Sequence, residues 1–420
     1  RLQDGLKFSN GRLLTAADVE FSLERILDGS VASPYGSLLS ASIGGRDAVI
    51  NSIQAIDTST IIISFPSPRR DFIELLAHPC FSVVCKDEVL KNQTGEGTYF
   101  SGTAFPVSGP LKMVEWIDNR SITLEPNKHY YAKNAGFDRL ELVIDRSEEI
   151  TMYDFGAHNL DMVFLQAADL EKMGMKYPYI TKQIDFGSPL VTYFLSLNPQ
   201  TQLLKNFEIR QAVVSAIDQD QIMEASEVFE VTESPLGRLS RGTGLYIGNP
   251  RMLFESVAPG AGSKQVLTLS YPPGEVSYSI ADNLKKQLES SLGITVNLKE
   301  TAAPKPYLYD QSAHLSLIRW VVPTPAKSAF FSYFYGEGVN PFINGNAVGE
   351  AGQNYFKQAG TLESAADRDQ YYTLISEELS RTFLVCGLVN VKTLYALQEK
   401  TTIPAGLEDV LGIYNKEVSS

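Results

Sequence analysis

Residues 5–27, GLKFSNGRLLTAADVEFSLERIL, decide how the rest of the chain is read. Leu2, Leu6 and Phe8 alternate with polar positions, the pattern of a half-buried strand. Asn10-Gly11 is a strong two-residue turn signal. Thr15 then precedes Asp18 by three positions, an N-cap residue with an acid at the third helical position. Val19, Phe21, Leu23, Ile26 and Leu27 follow at mostly helical spacing. The segment predicts a strand, a tight turn and a capped helix.

Working outward, a Gly/Ser-rich loop (28–45) leads to two short strands around a polar turn (49–65). Residues 69–90 predict a short helix and then a strand. Two strands flank Asp118-Asn119, and another covers 139–146. PLVTYFLSLNPQ (189–200) is a strand of β-branched and aromatic residues stopped by Asn198-Pro199, expected to cross between lobes. NFEIRQAVVSAIDQDQIMEA (206–225) has Ile209, Val213, Ala216 and Ile217 on one face and predicts one amphipathic helix. Residues 265–300 read as strand, helix with Gly293 as its C-terminal glycine, and strand, a parallel βαβ unit. LSLIRWVV (315–322) is a buried strand, 367–383 a helix, and 386–398 a strand returning the chain.

Composition limits the function. The chain has 420 residues, enough for two or three domains, with 44% hydrophobic and 20% charged residues. Its net charge of −13 disfavours contact with a phosphate backbone, and no dense basic patch offsets it, so no direct nucleic-acid partner is expected. No apolar run is long enough to span a bilayer. Three cysteines (Cys80, Cys85, Cys386) are too few for a disulfide framework. They read as buried thiols, with a Cys80–Cys85 bridge as the alternative. Four scattered histidines give no zinc spacing, and neither metal nor cofactor is expected. No nucleophile elbow, spaced carboxylate pair or phosphate loop is present, so the chain reads as a binder and not an enzyme.

Several cassettes, in order, resemble the family 5 extracellular solute-binding proteins of the oligopeptide-, dipeptide- and nickel-binding class. LKFSNGRLLTAADVEFSLERI resembles that family's strand–turn–helix signature. SGPLKMVEWIDNRSITLEPNKHYY resembles its G-P-Y-x-L followed by R-N-P-x-Y-W. MYDFGAHNLDMVF resembles its sampling helix and G-x-L-D turn, and LSLNPQTQLLKNFEIRQAVVSAIDQDQI its L-N-T and R-x-A-L-x-x-A-I-D-R. DRDQYYTLISEELSRTFLVCGLV resembles the closing helix and strand.

The resemblance implies an α/β, two-lobed periplasmic-binding-protein-like fold (type II, peptide-binding class) with a hinge of crossover strands. The expected organisation is a first lobe over 1–195 lacking its leading strands, a second lobe over 196–384, and 385–420 returning to the first. The implied role is the ligand-binding component of an ABC-type importer, clamping a peptide-like or other small solute as a monomer that docks on the permease subunits. The implied location is periplasmic or extracellular, with lipid anchoring through a segment before Arg1. The alternatives are a solute-sensing domain of a transcriptional regulator, or an orphan binding protein that has lost its peptide-amine site.

That last alternative comes from one departure. Peptide-binding members carry G-W-x-A-D-Y-x-x-P, whose Asp pairs with the ligand's α-amino group. Here Trp320 fits the Trp, but Pro323 stands at the Asp position and Thr324 follows. Proline supplies no charge for a buried ammonium. Trp320 is a candidate to stack on a ligand, against a core or hinge role. Arg319 is a candidate partner for a carboxylate, against a solvated surface role. Tyr193 and Asn198 are candidates near the cleft, against sheet packing and an Asn-Pro turn. Tyr333, in the aromatic run 330–335, is a candidate cleft residue, against core packing. Arg210, Asp218 and Asp161 read as structural, with Arg210 expected in a helix-surface salt bridge.

Overall fold

The computed structural model describes residues 1–27, 52–65, 70, 72–77, 79–92, 105–132, 137–144, 147–165, 170–180, 184–226, 228–230, 249–258, 265–301, 312–321, 327–335, 349–399 and 401. They fall into two compact units, one built on Arg1–Asp161 and the other on Met162–Glu399.

The first unit runs α1 (Ala16–Leu27), β1 (Ser52–Ala55), β2 (Ile61–Ser64), α2 (Phe72–Leu75), α3 (Lys86–Lys91), β3 (Leu111–Ile117), β4 (Ser121–Pro126), β5 (Leu140–Val143) and α4 (Glu148–Gly156). β1 and β2 form an antiparallel pair, and β3-β4-β5 an antiparallel three-stranded sheet. The capped helix forms as its residues dictate. Asp18 accepts from the Thr15 backbone N–H at 2.9 Å and from the Thr15 hydroxyl at 3.0 Å. It also takes two hydrogen bonds from Arg12, at 2.9 and 3.0 Å, and one from the Lys86 backbone N–H at 3.1 Å. The Asn10-Gly11 turn forms, with Gly11 at φ +86°.

Two expectations in this unit fail. The predicted opening strand is a single bridge, Lys7 to Leu13. Phe8 N–H to Arg12 O and Leu14 N–H to Leu6 O close the bridge, and beyond them Leu2 N–H bonds to Ser59 and Ser9 N–H to Val107. The strand predicted after the short helix within 69–90 does not form among the described residues. There Val84 N–H donates to the Ser22 hydroxyl of α1 and Lys86 N–H to Asp18, so side chains of α1 replace a strand partner.

The second unit runs β6 (Met162–Leu165), α5 (Leu170–Lys176), β7 (Ile184–Leu197), α6 (Phe207–Ser215), α7 (Gln219–Met223), β8 (Phe229–Glu230), α8 (Pro250–Val257), β9 (Val266–Tyr271), α9 (Glu275–Leu292), β10 (Thr295–Glu300), β11 (Leu315–Val321), α10 (Lys327–Tyr335), α11 (Glu350–Ala359), α12 (Ala365–Arg381) and β12 (Val385–Leu397). Its sheet has the order β10-β9-β11-β7-β12-β6, with β8 beside β12. The expected βαβ unit forms: β9 and β10 pair in parallel across α9, which ends on Gly293 at φ +71°.

The division after Asp161 differs from the expected one after 195. β7 was expected to cross between lobes and β12 to return to the first. Both lie inside the second unit, paired with each other along most of their length. The long helix expected over 206–225 divides into α6 and α7. Asp218 N–H turns away to the Gln287 side chain, and the Asp218 carboxylate caps Asp220 N–H to start a new helix.

Strand alternation gives this sheet two different faces. Tyr193, Leu195 and Leu197 stand in register with Arg319, Leu317 and Leu315 on the face that meets α9. On the other face Phe194, Ile318 and Trp320 pack with Phe330, Phe331 and Phe334 of α10, Phe356 of α11, and Tyr372 and Ile375 of α12. Each such side chain contributes on the order of 1.5–3 kcal/mol on burial.

Candidate functional site

A concavity of about 310 Å³ opens on the α9 face of the second unit's sheet. That lies at the lower end of the range for small-molecule sites. Its floor comes from β7, β11 and β12 (Val191, Tyr193, Arg319, Val391), and one wall from Gly274–Ser277 at the start of α9. The βαβ geometry explains the place. β9 ends at Tyr271, the Pro272-Pro273-Gly274 turn follows, and α9 begins above the sheet. Open α/β sheets bind ligands outside the carboxyl ends of their parallel strands. Gly274 has φ +118°, a conformation that a side chain would strain, and it starts α9 without a side-chain cap.

Two of the five candidate residues meet here. Tyr193 and Arg319 are directly opposite in the β7–β11 register, so their side chains stand next to each other on one face. Tyr193 is 3% exposed, and its hydroxyl lies 2.9 Å from that of Ser277. Burial pushes the Tyr193 phenol up, while the Ser277 hydrogen bond and the Arg319 charge pull it down; the net direction is upward. It is therefore a neutral hydroxyl at neutral pH. Arg319 is exposed, and among the described residues its side chain makes no hydrogen bond or ion pair. Its neighbours Leu315 and Leu317 on the same strand face are buried.

The other candidates lie elsewhere. Trp320 is 7% exposed on the opposite face, its ring edge-on to Phe330 at 5.4 Å between centroids. Asn198 is buried and donates from Nδ2 to Ala313 O at 3.1 Å, while its Oδ1 accepts from Gln200 N–H at 3.0 Å. It holds a turn against the next strand. Tyr333 lies in α10, but its side chain falls outside the described residues, as do Pro323 and Thr324. The described aromatic residues of α10 are core. Arg210 makes hydrogen bonds to the carbonyls of Leu204, Lys205 and Thr382 rather than the expected salt bridge.

Sequence reasoning missed Gly274, Glu275, Ser277 and Lys392, which also line the concavity. The first three carried a signal, a Pro-Pro-Gly turn between the strand and helix of a βαβ unit. Lys392 carried none. Among the described residues no group of three or more His, Cys, Asp or Glu is arranged to hold a metal. The three cysteines are free thiols, and burial pushes Cys80 and Cys386 each up to about 12. Among the described residues no helix is long and apolar enough to cross a membrane.

Over residues 1–342 the chain matches the family described as bacterial extracellular solute-binding proteins, family 5 Middle. It is 24% identical over 328 residues to the dipeptide-binding protein DppE of Bacillus subtilis, covering 71% of this chain and 58% of that one. It is 28% identical over 233 residues to the periplasmic oligopeptide-binding protein OppA of Salmonella typhimurium, covering 53% and 42%. The chain thus spans about half the length of these relatives. Among solved structures, the murein tripeptide binding protein MppA of Escherichia coli superposes with a TM-score of 0.74 at 19% identity, over 95% of this chain and 82% of that one. OppA of Haemophilus influenzae, complexed with RPPGFSPFR, gives 0.75 at 17% identity, over 98% and 85%. The expected two-lobed α/β class is the fold of these structures.

Proposed function

Because the chain belongs to the bacterial extracellular solute-binding proteins of family 5, we propose that it is the ligand-binding component of an ABC-type importer, clamping a peptide-like or other small solute for delivery to the permease. The observation that carries this reading is the concavity at the start of α9, where Tyr193, Ser277 and Arg319 converge. It combines an apolar floor with a few polar groups, as small-molecule sites do. Binding and closure are coupled in such a clamp, because a solute stabilises the state in which it gains most contacts.

The same site supports binding without turnover. The hydrogen-bond partner of the Ser277 hydroxyl is Tyr193, which burial keeps protonated and which therefore cannot take its proton. The family's location supports a periplasmic or extracellular protein, and this reading extends to lipid anchoring and a monomeric state. Similar folds serve different cargo: solved proteins of this fold hold Ni(L-His) and agropinic acid. The ligand must therefore be found directly. Native mass spectrometry of the purified protein should show a small molecule that is released on denaturation. A bare polypeptide mass, together with no thermal shift across a broad solute library, would remove this reading.

A further inference from the structure

Three charged residues line the concavity, Arg319, Lys392 and Glu275. Structural arginines that are held over apolar surface usually carry a carboxylate partner or hydrogen-bond backbone carbonyls, as Arg12 and Arg210 do here. Among the described residues the Arg319 side chain does neither. Its place in the register explains why it is reachable. Leu315 and Leu317 on the same strand face are buried, whereas α9 begins only at Glu275 and leaves Arg319 exposed in the concavity. Glu275 is itself exposed and makes no ion pair with it among the described residues. The neighbouring Tyr193 and Ser277 are neutral hydrogen-bonding groups and cannot neutralise a guanidinium.

We infer that the partner of Arg319 is brought by the ligand, and that it is a carboxylate: the solute is an organic acid or a peptide seated by its acid group on Arg319. This deepens the proposed function and rests on it. A guanidinium presents a planar fork that matches a carboxylate with two parallel hydrogen bonds. The volume of about 310 Å³ suits an organic acid better than a bare inorganic anion. The acid end, rather than a free amine, then becomes the recognised feature.

The test uses the full 420-residue chain and a thermal-shift library in which every carboxylic acid is paired with its primary amide, followed by titration calorimetry. Trialanine with trialanine amide, N-acetyl-trialanine, and succinate with succinamide are the first probes. Acids are expected to bind and their amides to lose affinity by about thirtyfold or more. Arg319→Met should weaken the acids by a similar factor, leave the amides unchanged and leave the melting temperature of the free protein unchanged. Binding of trialanine and N-acetyl-trialanine without succinate assigns a peptide terminus, and the reverse assigns a non-peptide acid. Amides that bind as well as acids, or an Arg319→Met variant that binds acids normally, overturn the inference while leaving a solute-binding protein. Silence across the whole library overturns the binding reading itself, and this inference with it.

Discussion

The hydroxyls of Tyr193 and Ser277 lie 2.9 Å apart in a buried setting and tie the central strand β7 to the first turn of α9. Ser277 is 1% exposed and Tyr193 3%, so each hydroxyl relies chiefly on the other. Removing one group strands the other, which costs about 1–3 kcal/mol. Tyr193→Phe and Ser277→Ala should each lower stability by an amount in that range. The double variant should cost less than their sum, because it leaves no stranded hydroxyl. Thermal melts of the two single variants and the double variant measure this, and strictly additive losses would mean the bond contributes nothing.

Trp320 makes the opposite case to Arg319, although the two are adjacent. Its ring is edge-on to Phe330, inside the cluster that joins the sheet to α10, α11 and α12. Trp320→Ala should therefore cost about 3–5 kcal/mol. Trp320→Phe should cost less and leave the affinity for any co-purified solute unchanged. Calorimetry on Trp320→Phe decides it: a large loss of affinity with a preserved melting temperature would return Trp320 to the ligand site.

The contrast between these two neighbours shows what the sequence made legible. Hydrophobic periodicity, the Asn10-Gly11 turn and the Thr15/Asp18 cap predicted most elements correctly, because they act within one turn or one strand. The alternation in LSLIRW also requires Arg319 and Trp320 to face opposite ways. It does not say which face meets α9 and which meets the aromatic helices. That is decided by non-local packing, as are the pairing of β7 with β12 and the break between α6 and α7 at the Gln287 contact. The single bridge at Lys7 is a further case, since the backbone beyond it bonds to Ser59 and Val107, residues far along the chain. Lys392 reaches the concavity only because β12 runs beside β7, a neighbour relation that no local pattern records.

Asp18 is a heavily used carboxylate of the first unit. It is fully buried and accepts from Arg12, from the Thr15 backbone and hydroxyl, and from Lys86 N–H. Asp18→Ala removes the acceptor of the Thr15 N–H and hydroxyl and of Lys86 N–H, and leaves Arg12 paired with Asp87. The expected loss is about 1–3 kcal/mol, since the part-buried donors around it lose their acceptor. Arg12→Ala should cost less than Asp18→Ala, because the carboxylate keeps its three other donors. Urea unfolding of both variants gives the order, and an Arg12→Ala loss equal to or larger than that of Asp18→Ala would contradict it.

His314 should give the second unit a pH dependence of defined sign. Its Nδ1 accepts from Thr268 N–H at 3.2 Å, joining β9 to the start of β11, and this requires a neutral ring. Burial lowers its pKa below the ordinary value. The folded state therefore holds fewer protons than the unfolded chain as pH falls below about 6.5. The stability that depends on the neutral ring is fully present above that pH and is lost progressively as pH falls toward the folded pKa. Asn at this position keeps an acceptor oxygen near Nδ1 but does not titrate. Wild-type melting temperature should consequently fall more between pH 7 and pH 5 than that of His314→Asn, the common slope from carboxylates cancelling in the comparison. Equal slopes for the two proteins would show that the ring is solvated enough to protonate freely in the folded state.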